Sequence, residues 1–124
     1  MGFEGMQRQN TVLVVDDEPG MREFLAAFFR AYEIPVLTAA SAEDALHLWE
    51  TKADEIRAVV TDIVMPGMNG KALAEKLRAD RPAIKIIFMS GYLPAEIAEE
   101  ALDGVFFKKP FNPSDLLAAI QSGS

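Results

Sequence analysis

The chain contains no cysteine, which excludes thiolate catalysis, disulfide bonds and cysteine-based zinc sites. It also lacks any apolar stretch close to the roughly 18 to 20 residues that span a bilayer. Its 12 Lys and Arg residues are scattered among 19 acidic residues, and the net charge is −7. Since nucleic-acid affinity comes from clustered cations that release counterions, we expect no direct nucleic-acid binding. These absences favour a cytoplasmic protein without membrane insertion.

The length of 124 residues fits one compact domain, and half of the residues are hydrophobic. A domain of this size buries enough surface to fold without a disulfide or a structural metal. We assign the domain to residues 11–121. Residues 1–10 are interpreted as a disordered leader or as added residues, and residues 122–124 as a tail.

Strand-like and helix-like segments alternate five times along the domain. Residues 11–15 form a continuous apolar and β-branched run, typical of a strand covered on both faces. Further strands are predicted at 35–39, 58–62, 84–89 and 105–108. The first helix carries one apolar stripe at i, i+3, i+4 and i+7, formed by Met21, Phe24, Leu25 and Phe28. The fourth helix is predicted from the spacing of Pro94, Ile97, Ala98 and Ala101.

This alternation indicates right-handed crossovers and a parallel sheet between two layers of helices. Ligands bind such sheets at the carboxyl ends of the strands. Polar residues stand at or just after four of these ends, namely Asp16 and Asp17, Asp62, Ser90 and Lys109. The fold therefore gathers three carboxylates, a hydroxyl and an ammonium at one edge of the sheet.

Three neighbouring carboxylates repel one another unless a cation neutralises them. Mg²⁺ suits the site because it binds a few carboxylate oxygens and keeps room for water and a phosphate oxygen. A carboxylate can also attack phosphorus to form an acyl phosphate, and Lys109 supplies a compact positive charge for phosphate.

Each residue also has a structural alternative. The Asp16–Asp17 pair suits a turn or helix cap, and Ser90 a Ser-Gly turn. Lys109 could be a solvated surface lysine, and Phe106 is by default part of the core.

Four motifs of the chain, in order, resemble the receiver domain of two-component response regulators. They are VLVVDDEP at 12–19, DIVMPGMNG at 62–70, MSG at 89–91 and KPF at 109–111. The pairing of Ser-Gly-Tyr with Lys-Pro-Phe is most similar to receivers attached to hybrid sensor histidine kinases. The resemblance implies a flavodoxin-like (βα)5 three-layer sandwich, with a five-stranded parallel sheet of strand order 2-1-3-4-5.

The resemblance also implies a phosphorelay function. Asp62 would accept a phosphoryl group from a phosphohistidine of a histidine kinase or histidine phosphotransfer protein, possibly in the same chain. Asp17 would bind Mg²⁺ directly and Asp16 directly or through water, together with Asp62 and the backbone carbonyl of Val64. Lys109 would pair with Asp62, followed by a cis Lys109–Pro110 bond. We expect a monomer or weak dimer.

Ser90 and Phe106 match the switch pair of that family, in which the hydroxyl moves to the phosphoryl group and the ring turns inward. Many members have Tyr where this chain has Phe106, so no ring hydroxyl reports the switch here. In that family, the positions that correspond to Val64 and Tyr92 tune the lifetime of the acyl phosphate. Because the Val64 side chain cannot place an attacking water, we expect slow hydrolysis.

Two alternatives remain. A magnesium-dependent phosphatase of the haloacid dehalogenase type has a second Asp two residues after its nucleophile, whereas this chain has Val64 and Glu18 at those positions. A degenerate receiver would act only as an interaction module, without phosphorylation. The presence of all the acidic and basic site residues disfavours that second alternative.

Overall fold

The computed structural model describes residues 9–122. The predicted leader and tail lie outside that range, apart from Gln9, Asn10 and Ser122. The strands of the described range are β1 (Thr11–Val15), β2 (Val36–Ala39), β3 (Ile56–Asp62), β4 (Lys85–Ser90) and β5 (Val105–Lys108). Its α-helices are α1 (Pro19–Ala31), α2 (Ala42–Lys52), α3 (Gly70–Asp80) and α4 (Pro113–Gln121). Two 3₁₀ helices are Ala53–Glu55 and Glu99–Leu102.

The five strands form one parallel sheet in the order β2-β1-β3-β4-β5. This finding confirms the predicted flavodoxin-like α/β fold and its strand order. Successive residues of β1 point to opposite faces of the sheet. Leu13 and Val15 pack in the cluster that holds apolar side chains of α2 and α3. Val12 and Val14 pack in the cluster that holds those of α1 and α4, which explains the uninterrupted apolar run.

The connection between β4 and β5 differs from the predicted fourth α-helix. It contains only the short 3₁₀ helix Glu99–Leu102, in which Leu102 is the one buried residue. The predicted stripe consisted of a proline, two alanines and Ile97, which together bury little apolar surface. Since most helices of this length are stabilised by packing of an apolar face, the segment lacks a reason to stay α-helical.

The buried face of α1 contains most of the predicted stripe, because Met21, Leu25 and Phe28 pack in or against one core cluster. Leu25, Ala26 and Phe29 are buried there, whereas Phe24 is 51% exposed. Leu25 and Phe29 are four residues apart and therefore lie on one face of the helix. Apolar residues at neighbouring positions made both faces plausible from sequence. No helix in the part of the chain that the structure describes has the length and apolar character needed to cross a membrane.

Candidate functional site

The carboxyl ends of β1, β3 and β5 bring four charged side chains together. Asp16 and Asp17 follow β1, and Asp62 is the last residue of β3. Ligand oxygens of these three carboxylates all lie within 4.8 Å of one another. Asp16 and Asp62 are buried, whereas Asp17 is exposed and leaves the site open to solvent.

Lys109 is the cation of this site. Its Nζ lies 3.2 Å from Asp16 Oδ2 and 3.1 Å from Asp62 Oδ2, and its side chain is 18% exposed. Its backbone N–H donates to the Ser90 carbonyl at 2.8 Å, which ties the end of β5 to that of β4. The Lys109–Pro110 peptide bond is cis, as predicted. The ammonium therefore bridges two carboxylates.

Backbone amides fix the second oxygen of each buried carboxylate. The Glu18 N–H donates to Asp16 Oδ1 at 2.9 Å, and the Val64 N–H donates to Asp62 Oδ1 at 3.3 Å. Each of these two carboxylates thus accepts a hydrogen bond from a nearby backbone amide with one oxygen and from Lys109 with the other. Charge-assisted bonds of this kind hold the acids in one arrangement.

The two partners at the centre of the site both have shifted pKa values. Burial raises the pKa of Asp62 above its ordinary value of 3.8, and the charge of Asp16 raises it further, while Lys109 only partly offsets both effects. Burial alone would lower the pKa of Lys109, but the charges of Asp62 and Asp16 outweigh it and raise that pKa. Lys109 therefore stays an ammonium, and Asp62 is harder to ionise than an ordinary aspartate.

The raised pKa of Asp62 predicts a pH dependence of stability without metal. As pH rises from 3.8 through the raised folded-state pKa, the unfolded carboxyl ionises first, so the free energy of unfolding should fall across that window. The contribution of Lys109 to stability is lost only above its ordinary pKa of 10.5, so it does not affect this acidic pH window. Urea unfolding in EDTA at several pH values should show this fall for the wild type and a smaller fall for Asp62→Asn. Parallel curves for the two proteins would contradict the assignment.

The close approach of α3 to the end of β3 depends on Gly70. Its N–H donates to the Ile63 carbonyl at 2.9 Å, and the preceding Asn69 side chain caps the helix by accepting from the Ala72 N–H at 2.8 Å. A Cβ at Gly70 would lie 2.1 Å from the Asp62 carbonyl oxygen. The start of α3 therefore packs on the backbone of Asp62 itself.

Gly70→Ala is expected to destabilise the fold by about 1 to 3 kcal/mol or more, because the backbone of Asp62 would have to move. Gly20→Ala is the matched control, since its Cβ would meet no atom within 4 Å and a helical Ala is favoured over Gly. Thermal unfolding of the two variants measures the difference. Equal midpoints would show that the packing of α3 on Asp62 tolerates a methyl group.

The predicted switch residues Ser90 and Phe106 lie on β4 and β5, which are neighbouring strands. The Ser90 hydroxyl donates to the Tyr92 carbonyl and accepts from the Tyr92 N–H at 3.3 Å, so it closes a turn of its own loop. Phe106 is half-buried against the core cluster on the α2 and α3 side. Val64 contacts Asp62 through its N–H, and its side chain is exposed. These contacts match the structural alternatives for Ser90 and Phe106, and their switch roles stay predictions.

Arg22 was not identified from the sequence. Its guanidinium Nη1 donates to the Asp16 carbonyl at 2.8 Å, at the point where β1 has ended. One signal could have found it, because a cation in the first turn of a helix opposes the helix dipole and is unfavourable without a specific contact. The role of Gly70 was not identified from the sequence either, because it depends on how closely the start of α3 approaches the Asp62 carbonyl.

The donor set fits a small divalent cation. With all groups ionised, three carboxylates and one ammonium carry a formal charge of −3 + 1 = −2, which one divalent ion neutralises. Two oxygens on opposite sides of Mg²⁺ lie about 4.2 Å apart, so a spread within 4.8 Å needs only small side-chain rotations. Hard carboxylate oxygens are the ligands that Mg²⁺ prefers.

Comparisons with known proteins agree with this geometry. Sensor kinase CckA of Brucella abortus is 36% identical over 115 residues, which cover 90% of this chain and 12% of the kinase. Among solved structures, the receiver domain of the hybrid histidine kinase CckA is 32% identical, with a TM-score of 0.76 and coverage of 90% and 95% of the two chains. TrrA of Thermotoga maritima, solved in complex with Mg²⁺-BeF, is 30% identical, with a TM-score of 0.77 and coverage of 91% and 97%.

The chain spans between 12% and 50% of the length of eight curated relatives, so the resemblance concerns one domain of those proteins. The family model of the response regulator receiver domain matches residues 12–121, which is nearly the whole range that the structure describes. With its strand order and its cluster of three acids and one lysine, the chain belongs to the receiver domains of two-component systems.

Proposed function

We propose that residues 11–121 act as the phosphoryl-accepting unit of a phosphorelay, with Asp62 as the acceptor. The donor would be a phosphohistidine of a histidine kinase or histidine phosphotransfer protein. The observation that carries the proposal is the Lys109 ammonium at 3.1 Å from Asp62 and 3.2 Å from Asp16, within an acidic cluster open to solvent at Asp17. Receiver domains are signalling phosphoacceptors and not enzymes in the ordinary sense.

The proposed transfer balances at Asp62. One carboxylate oxygen attacks the phosphorus, and the P–N bond of the phosphohistidine breaks with its electron pair going to the ring nitrogen. The other ring nitrogen carries a proton, so neutral imidazole leaves and an acyl phosphate remains on Asp62. Lys109 faces the charge that the phosphoryl oxygens bring, and its position costs no reorganisation. Asp16, Asp17, Asp62 and the Val64 carbonyl would hold Mg²⁺, which would supply charge neutralisation on phosphoryl oxygens.

Hydrolysis of the acyl phosphate should be slow. The exposed side chain next to the acceptor is that of Val64, which has no polar atom to orient a water molecule. We propose that the domain phosphorylates itself from small donors and dephosphorylates slowly, so that the conformational state outlasts the transfer.

The proposed switch starts from the contacts of Ser90. Its hydroxyl is bonded to the Tyr92 backbone, and these bonds must break before it can donate to a phosphoryl oxygen. Phe106 is half-buried against the core cluster on the α2 and α3 side, and the proposed switch requires its ring to turn further inward. Such a change is a shift between two packings, biased by contacts that only the phosphorylated form makes. A coupling of about 1 to 3 kcal/mol is typical.

The setting of the domain is also a proposal. Its resemblance to CckA favours a donor in a hybrid kinase, in the same chain or a separate one. The acidic balance of 19 acids to 12 bases disfavours direct nucleic-acid binding. We propose a cytoplasmic domain that is a monomer or weak dimer.

The acceptor function is tested by counting the phosphoryl groups that each chain takes up. Phosphoramidate contains the P–N bond of a phosphohistidine and serves as a small donor. Incubation with Mg²⁺ should add one phosphoryl group per chain, seen by intact mass spectrometry, and EDTA should prevent it. Continuous turnover of p-nitrophenyl phosphate would favour the phosphatase alternative and overturn the proposal.

A second measurement separates an active receiver from an inert module. Beryllofluoride with Mg²⁺ mimics a phosphoryl group on a carboxylate, and the proposal predicts amide shift changes at Asp62, Ser90 and Phe106. No change at saturating reagent would identify a degenerate receiver. Changes at Asp62 alone would keep the acceptor function and overturn the proposed switch pair.

A further inference from the structure

The two consecutive acids of the site have opposite environments. Asp16 is fully buried, with its carboxylate held by the Glu18 amide and Lys109, whereas Asp17 is exposed. Nevertheless, one carboxylate oxygen from each of Asp16, Asp17 and Asp62 lies within 4.8 Å of the other two. Whether they do so depends on the orientation of the single peptide plane between them.

The Arg22 side chain holds that peptide plane. The Asp16 carbonyl and the Asp17 N–H belong to the same planar unit, so a bond to the carbonyl also fixes the direction in which Asp17 leaves. Arg22 Nη1 donates to this carbonyl at 2.8 Å, one residue beyond the last residue of β1. On the other side of Asp16, its own N–H donates to the Ala39 carbonyl at 3.1 Å.

The backbone of Arg22 makes this anchor rigid. Its N–H donates to the Glu18 carbonyl at 3.0 Å as the first bond of α1, and its side chain is half-buried. The guanidinium therefore reaches back from an ordered helical turn to the loop that carries both acids. Arg30, on the same helix, makes an exposed contact of 3.5 Å to the Val36 carbonyl.

We propose that Arg22 is a positioning residue for the divalent cation, which it serves by fixing the Asp16–Asp17 peptide so that Asp17 faces Asp62. This inference rests on the proposed function, since it concerns the same cation site. It makes a prediction opposite to that of simple electrostatics. A nearby positive charge repels Mg²⁺, so neutralising Arg22 should strengthen cation binding if charge were its only effect.

Arg22→Met is expected to weaken Mg²⁺ binding about tenfold, the usual effect of removing a group that orients a metal ligand. Arg22→Lys keeps the charge but offers one compact donor, and it should bind with an intermediate Kd. Arg30→Met removes the same charge from the same helix and should leave the Kd unchanged. The Kd values come from amide shift titrations with MgCl₂ alone. The metal-free spectra should also differ from the wild type at the Asp17 amide for Arg22→Met and not for Arg30→Met.

Several outcomes would overturn the inference. If the Arg22→Met variant bound Mg²⁺ as tightly as the wild type, or more tightly, Arg22 would not position the acids. Equal weakening in Arg22→Met and Arg30→Met would lead to the same conclusion. Circular dichroism in EDTA establishes that each variant is folded. If Arg22→Met is not folded, the Mg²⁺ affinity of Arg22→Lys is the test. A Kd of Arg22→Lys equal to that of the wild type would then overturn the inference. A wild-type protein without saturable Mg²⁺ binding would instead overturn the proposed function.

Discussion

Asp62→Asn should lower the rate of phosphoryl labelling by about 10⁴-fold or more, because a neutral amide oxygen is a poor nucleophile for phosphorus. Asp62 is the buried acid at the end of β3 that contacts Lys109, so the substitution removes the attacking atom and leaves its surroundings in place. Labelling with phosphoramidate and Mg²⁺, followed by intact mass spectrometry, measures the loss. Asp115→Asn is the matched control, since Asp115 is an exposed acid in the first turn of α4.

The fold of Asp62→Asn should survive, which makes the loss of labelling interpretable. Asn has nearly the same shape, and its oxygen can still accept from the Val64 N–H. Its melting temperature without metal should exceed that of the wild type near neutral pH, because a carboxylate penalised by burial has been removed. A folded variant that is phosphorylated as readily as Asp115→Asn would exclude Asp62 as the acceptor.

The site could be anticipated because its residues follow from local pattern and topology together. Short apolar runs ending on Asp16, Asp62, Ser90 and Lys109 predict strands, and parallel strands share their carboxyl edge. The strand order came from the family motifs, since periodicity alone does not order the strands of a sheet.

What could not be predicted from the sequence depends on how closely neighbouring elements pack in three dimensions. The role of Gly70 requires knowledge of how closely α3 approaches the Asp62 carbonyl. The α-helix predicted between β4 and β5 depended on how much surface Ile97 and two alanines could bury. The 3₁₀ helix found in that connection buries only Leu102. For α1, apolar residues on adjacent faces allowed a stripe through Phe24, and only packing shows that Phe29 is buried in its place.

Lys109→Met is expected to slow phosphoryl labelling by about 10²- to 10³-fold, the usual effect of removing one preorganised charge that faces a reacting group. The ammonium is bonded to Asp16 and Asp62, so its loss removes the ion pair that each of these two carboxylates makes with it. The pKa of Asp62 should rise further, since the charge of Lys109 is the largest of the effects that lower it. The labelling rate should therefore reach its plateau at a higher pH than in the wild type.

The same substitution separates the roles of lysine and metal at this site. Removing a positive charge from the acidic cluster should tighten Mg²⁺ binding, whereas Arg22→Met should loosen it, although both variants lose one cation. Slow labelling at saturating Mg²⁺ would then report the missing ammonium and not a missing metal ion. Lys108→Met removes the exposed neighbouring lysine and should change neither quantity. If Lys109→Met were labelled as fast as Lys108→Met, the ammonium between the two carboxylates would serve the fold and not the transfer.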